Sequence, residues 1–152
     1  MPPRDPASRD SFGALLSRGA RQWRRAADLR LRPFDLTEAT WLPLIHIARA
    51  PEPPRQKDLA ASLSLDGSSV VRLLDNLEKA GLIQRREGAD RRAKIITLTP
   101  RGRAIADKVE TVARRIRREA LAGLSDREVE TTVRVLQKVC RALDAITGED
   151  PA

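Results

Sequence analysis

Seven basic groups crowd the segment from Gln84 to Arg103, with only Glu87 and Asp90 against them. Five of the seven, Arg85, Arg86, Arg91, Arg92 and Lys94, bracket the short loop GADRR at 88–92. Like charges placed this closely repel one another, and the arrangement becomes favourable when an anion meets them. Asp90 sits beside two of the arginines, where a carboxylate can hold a guanidinium fork in one orientation and lower the entropy lost on binding. An arginine aimed in this way suits a narrow minor groove of duplex DNA. A second set of residues lies upstream. Ser68, Ser69, Arg72 and Asn76 share one helical face, opposite Val70, Leu74 and Leu77. The small residues Gly67, Ser68 and Ser69 let a backbone approach a groove closely. The hydroxyls can bond bases or phosphates, and Arg72 can reach guanine O6 and N7, or a phosphate.

These residues need a frame, and the flanking sequence supplies one. From Ser11 onward, Phe12, Leu15, Leu16, Gly19, Trp23, Ala26 and Ala27 recur at steps of three and four, which predicts an amphipathic helix that Pro33 ends. Thr37 suits the N-cap of a second helix, striped by Trp41, Leu44, Ile45 and Ala48, in which Pro43 predicts a distortion. PEPP at 51–54 is a stiff break. A short helix from Gln56 to about Leu63 is followed by a turn through Ser64 and Leu65. A second helix then runs from an Asp66 N-cap to about Ala80, completing a helix-turn-helix. Gly81 is a left-handed stop. LIQRRE and AKIITLT have the β-branched, partly alternating pattern of two hairpin strands around GADRR.

Thr99 caps a further helix, with Pro100 at its first position, that runs to about Leu121 along Ile105, Val109, Val112, Ile116 and Ala120. Ser125 and Glu128 form a capping box that opens the last helix. That helix carries two apolar stripes. One comprises Val129, Val133, Leu136, Cys140 and Leu143, and the other Val135, Val139, Ala142 and Ile146. So wide an apolar face implies two neighbours, one within the subunit and one from a partner chain. Cys140 is expected to pack there. Residues 1–10, Pro-rich and charged, and 148–152 are expected to be tails.

The length of 152 residues suits one domain with a real core. The net charge of +8 points to nucleic acid or an anionic surface as partner. Aromatics make up 3% of the chain, with no Tyr, which argues against a single-strand binder that stacks bases. The single Cys excludes an internal disulfide and fits a reducing cytosol. No run approaches the ~18 apolar residues of a membrane span. The expected location is therefore the cytoplasm, in association with the nucleoid. With one His, one Cys and no Gly-rich phosphate loop, neither a catalytic triad nor a zinc site can be assembled. No catalytic residue, metal or cofactor is expected, and the chain is not expected to be an enzyme.

The order of these elements, and ADRRAKIITLTPRG above all, resembles the MarR family of bacterial winged-helix regulators. The family's wing pattern, Asp-x-Arg followed by Leu-Thr, falls on Asp90, Arg92, Leu98 and Thr99, with Gly102 at its usual place. SSVVRLLDNLEKAGLIQRR, LRPFDLTEATWLPL and Arg21-Gln22-Trp23 are most similar to the SlyA branch. The resemblance spans about Ser11 to Ile146.

It implies a mainly α fold: a winged helix-turn-helix with N- and C-terminal dimerisation helices and a two-stranded β-wing. The domain would span 11–147, with the DNA-binding lobe at about 37–99 and the dimerisation helices at about 11–32 and 100–147. It implies a homodimer on a pseudo-palindromic operator in double-stranded DNA. The recognition helix, bearing Ser68, Ser69, Arg72 and Asn76, would enter the major groove, and Arg92, oriented by Asp90, the flanking minor groove. Members of the family also bind small aromatic carboxylates. Trp23, Arg24, Trp41 and His46 are the candidates for such an effector pocket, although His46 also suits a half-buried packing role. A competing expectation is a nucleoid-structuring or RNA-binding protein that uses the same basic surface without ligand control.

Overall fold

The structure, a computed structural model, describes residues 9–89 and 93–148. The expected wing-tip residues Asp90, Arg91 and Arg92 lie outside the described residues. Among the described residues, six longer helices and two strands follow in order: α1 (Phe12–Leu31), α2 (Glu38–Arg49), α3 (Gln56–Ser62), α4 (Gly67–Lys79), β1 (Ile83–Glu87), β2 (Lys94–Leu98), α5 (Pro100–Ala120) and α6 (Asp126–Thr147). The chain divides into two compact units, 1–114 and 115–152. Arg9 and Asp10, assigned to the tail on sequence grounds, are helical.

Local chemistry sets the boundaries in the first unit. Pro33 lies within a 3-10 turn, Arg32–Phe34, after which Asp35 turns left-handed at φ 57°. Thr37 is extended at the N-cap of α2, but its hydroxyl does not cap the helix and lies 3.4 Å from that of Thr40. α2 continues through Pro43. Pro43 has no N–H, so the Ala39 carbonyl, four residues earlier, receives no helical bond from it. Ser64, at φ 54°, makes the turn between α3 and α4. Gly81, at φ 70°, ends α4, and Leu82 N–H returns to Leu77 O at 3.0 Å.

β1 and β2 pair antiparallel from Ile83↔Leu98 to Glu87↔Lys94. The break at PEPP proves to be tied to this sheet: Ile96 N–H donates to Pro54 O at 2.9 Å, and Arg55 bridges Ile95. Leu44, Ile47, Leu59, Val70, Leu74, Leu77, Ile83, Ile96 and Ala106 make one buried cluster that fixes the helix-turn-helix, the hairpin and the start of α5 together. Thr99 is the hinge of that junction. Its hydroxyl donates to Gly81 O at 2.7 Å and accepts Gly102 N–H at 3.0 Å.

In the second unit, Ser125 and Glu128 form the expected capping box, and α6 ends at Gly148, φ 72°. The expected packing of α6 is not met within this chain. No residue of α6 is buried, and both stripes are open, Val133 and Leu143 on one and Val135 and Ile146 on the other. Cys140 is exposed with them. A helix this apolar is stable in water only when another surface covers it. On α1, Phe12, Leu15, Leu16 and Trp23 are also exposed. Among the described residues no helix is long and apolar enough to cross a membrane.

Candidate nucleic-acid interface

The α4 face has the polarity that its sequence predicts. Val70, Leu74 and Leu77 are buried, while Ser68, Arg72 and Asn76 are exposed and Ser69 is half-buried. The start of the helix is held by Asp66. Its carboxylate accepts Ser69 N–H at 2.8 Å, the Ser68 hydroxyl at 2.7 Å and the Ser69 hydroxyl at 2.8 Å. These bonds, led by that from Ser68, hold the Asp66 carboxyl well below the usual carboxylate range. Each hydroxyl has committed its proton, so toward a groove it presents lone pairs only. Arg72 and Asn76 are the side chains of this face free to donate.

The hairpin sorts its cations into two kinds. Arg85 is turned away from solvent, with its side chain 20% exposed. Its guanidinium binds Glu78 Oε2 through Nε at 3.0 Å and Nη2 at 2.7 Å, and also binds Asp75. Its N–H donates to Glu78 Oε1 at 3.1 Å. Hydrogen bonding to Arg85 lowers the Glu78 pKa, and the same bond raises that of Arg85. Arg85, expected on the DNA surface, is thus spent on two carboxylates of α4 and locks β1 to that helix. Arg86 is exposed and forks onto the neutral Gln84 amide at 3.2 and 2.6 Å, which leaves its charge uncompensated by that contact. Lys94 is exposed and lines a groove with Arg55, Gln56, Lys57 and Ala93.

A second cavity, of about 530 Å³, is lined by Arg24, Glu38, Ala39, Leu42, Pro43, Leu63, Leu65, Ser69 and Leu73. Of the four expected effector-pocket residues it includes Arg24 alone. Trp23 is exposed. Trp41 is buried in the core, 5% exposed, with its indole N–H unpaired among the described residues. His46 is half-buried, and its pKa is lowered first by burial and then by Arg49 and Arg24. The cavity walls are therefore leucines and a proline rather than tryptophans. Arg24 lies 3.9 Å from Glu38 at the rim.

A family model described as the MarR family matches residues 34–93. Transcriptional regulator PA3341 is 38% identical with a TM-score of 0.83, and the match covers 88% of this chain and 98% of that one. This chain belongs to the MarR family of transcription regulators. S. aureus MepR, solved as a complex with DNA, is 28% identical with a TM-score of 0.73, covering 87% and 97% of the two chains. CouR from Rhodococcus jostii RHA1, solved with p-coumaroyl-CoA bound, is 29% identical with a TM-score of 0.74, covering 89% and 95%.

For a MarR-family chain, the junction behind the wing explains part of the motif. A Cβ at position 102 would lie 1.9 Å from the Leu82 carbonyl oxygen, so only glycine fits where α5 crosses the end of α4. Sequence reasoning passed over Arg55 and Lys57. The available signal was two cations flanking Gln56 at the start of the first helix of the helix-turn-helix. It was hidden because PEPP does not reveal its pairing with β2.

Proposed function

We propose that this MarR-family chain binds double-stranded DNA as a homodimer, reads a pseudo-palindromic operator and is released by a small aromatic anionic ligand. The observation that carries the reading is the exposed face of α4, with Ser68, Arg72 and Asn76, held rigidly beside the basic hairpin by Arg85. An α-helix fits the major groove, and a hairpin at its side reaches the flanking backbone and minor groove. Ser69, Arg86, Lys94 and the tip residues Asp90, Arg91 and Arg92 complete the proposed surface. The DNA complex of MepR supports the assignment.

The uncovered apolar residues of α1 and α6 favour a second copy as their cover. The proposed lobe spans about 37–99, with dimerisation helices at about 11–32 and 100–147, and the likeness of SSVVRLLDNLEKAGLIQRR to the SlyA branch supports membership there. The cavity bounded by Arg24 offers largely apolar walls and a cation that it shares with Glu38, which an anionic aromatic ligand would have to displace, and CouR holds an aromatic acyl-CoA. We place the protein in the cytoplasm, on the nucleoid.

Competition between DNA selected from a random library and scrambled duplex tests this function. A preference of at least ~10³-fold for the selected site is expected. Equal affinity would favour a nucleoid-structuring protein, and preference for RNA an RNA-binding one.

A further inference from the structure

The cations of the first unit fall into two classes. Arg24 meets Glu38, Arg32 meets Asp28, Arg49 forks onto Glu110 at 3.0 and 2.8 Å, and Arg85 meets Asp75 and Glu78. The second class, with no ion pair among the described residues, includes Arg72 and Arg86 as well as Arg55, Lys57 and Lys94, and the last three come together in one place. Together with Gln56 and Ala93 they line a groove of about 540 Å³ whose wall, among the described residues, holds no acid. The three are exposed, and among the described residues none has an ion-pair partner. Two acids lie close in sequence or register. Asp58 accepts the Arg55 backbone N–H at 3.3 Å, and Glu87 stands opposite Lys94 across the hairpin. Neither lines the groove.

The groove is also built on a fixed base. The Pro54 carbonyl takes Ile96 N–H at 2.9 Å and Arg55 bridges Ile95, so the start of α3 and the β2 strand are stitched into one backbone unit. Three like charges brought together by main-chain bonds repel, and a bound anion offsets that repulsion. In a helix-turn-helix the first helix crosses the nucleic-acid backbone, which brings phosphates rather than base edges to this place.

We infer that Arg55, Lys57 and Lys94 form a grip for backbone phosphates of duplex DNA, separate from the base-reading face of α4. The grip rests on the proposed DNA-binding function and adds Arg55 and Lys57 to its surface. It sets affinity and register and carries no sequence information.

The test measures binding by fluorescence anisotropy between about 50 and 200 mM salt. The probes are a random-sequence duplex of about 30 base pairs, long enough for two half-sites a helical turn apart, and a duplex selected by the wild-type protein from a random library. Lys57→Ala and Lys94→Ala are each expected to flatten the slope of log affinity against log salt by about 2, one phosphate contact in each of the two half-sites, and the double variant by about 4. Affinity should fall by similar factors on both duplexes, leaving their ratio unchanged. Lys57→Arg should restore the slope. An unchanged slope in both single variants, with folding verified by circular dichroism, overturns the grip. So does a loss confined to the selected duplex, since that marks base reading. Failure of the wild-type protein to bind either duplex overturns the DNA-binding reading itself, a result distinct from loss of the grip.

Discussion

Ser68 gives its proton to Asp66, and the direction of that bond decides what the serine can read. An oxygen left with lone pairs alone matches an amino group in the major groove, adenine N6 or cytosine N4, and opposes guanine O6. Ser68→Ala should therefore weaken a preference for one of these bases at a single operator position, by about 1–3 kcal/mol at most. Asp66→Ala should relax the same preference by freeing the hydroxyl to donate, with the loss of the helix cap as a further cost. Affinities for operators substituted base by base check both variants, and an unaltered base profile would remove Ser68 from the reading face.

His46 gives a pH dependence. Burial first, then Arg49 and Arg24, lower its pKa from the ordinary value of 6.5. The unfolded chain thus binds a proton that the folded chain resists, and stability falls as pH drops below about 6.5. Urea midpoints should decline between about pH 7 and 5 in the wild type and decline less in His46→Gln. Gly102→Ala meets the Leu82 carbonyl at 1.9 Å and should cost about 1–3 kcal/mol, seen as a lower urea midpoint at an unchanged slope.

Among the elements, one polar side chain adds to the shared apolar core in joining α4 to the hairpin. Asp75 and Glu78 lie three residues apart on one face of α4, and Arg85 reaches both from β1. Because the two carboxylates are themselves substantially exposed, removing the arginine should cost about 1–2 kcal/mol rather than the larger penalty of a buried pair. Arg85→Ala should also weaken operator binding while leaving the salt slope unchanged, because the charge it removes never meets a phosphate. A slope reduced by about 2, one contact from each of the two chains, would return Arg85 to the DNA surface.

This is where the sequence was least legible. Element boundaries were written in local chemistry: the Asp66 cap, the Ser125 and Glu128 box, the Gly81 stop and the Thr99-Pro100 start all depend on neighbours within a few residues. The partners of Arg85 lie seven and ten residues back, across a turn, and the pairing of Pro54 and Arg55 with β2 spans some forty residues. Charge pattern alone counts a spent arginine and a free one alike. That Trp23, Trp41 and His46 do not line the cavity beside Arg24 has a related cause. Sequence identifies Trp41 as apolar, but only packing reveals that it fills the core instead of lining the cavity beside Arg24.

For the whole molecule the question is what covers α6. Val133, Val135, Leu143 and Ile146 are open to water, the last of them 78% exposed, and Phe12, Leu15, Leu16 and Trp23 of α1 are open as well. On α6 taken by itself, apolar side chains on this scale mark an association surface. If that surface is where two copies meet, folding is linked to assembly, and the Tm of the wild type should rise with protein concentration. Leu143→Glu places a charge in the surface without disturbing any buried residue of its own chain. It should shift the sedimenting species from two chains toward one chain of 16.9 kDa at micromolar concentration. Operator affinity should then fall by about 10²-fold or more, because two linked half-site contacts become independent. Affinity for random duplex should fall much less, since the cations that grip phosphate are all retained. A wild-type protein that sediments as one chain, or a Leu143→Glu protein that remains a dimer with full operator affinity, would rule out this face as the one that sets the spacing of the two recognition helices.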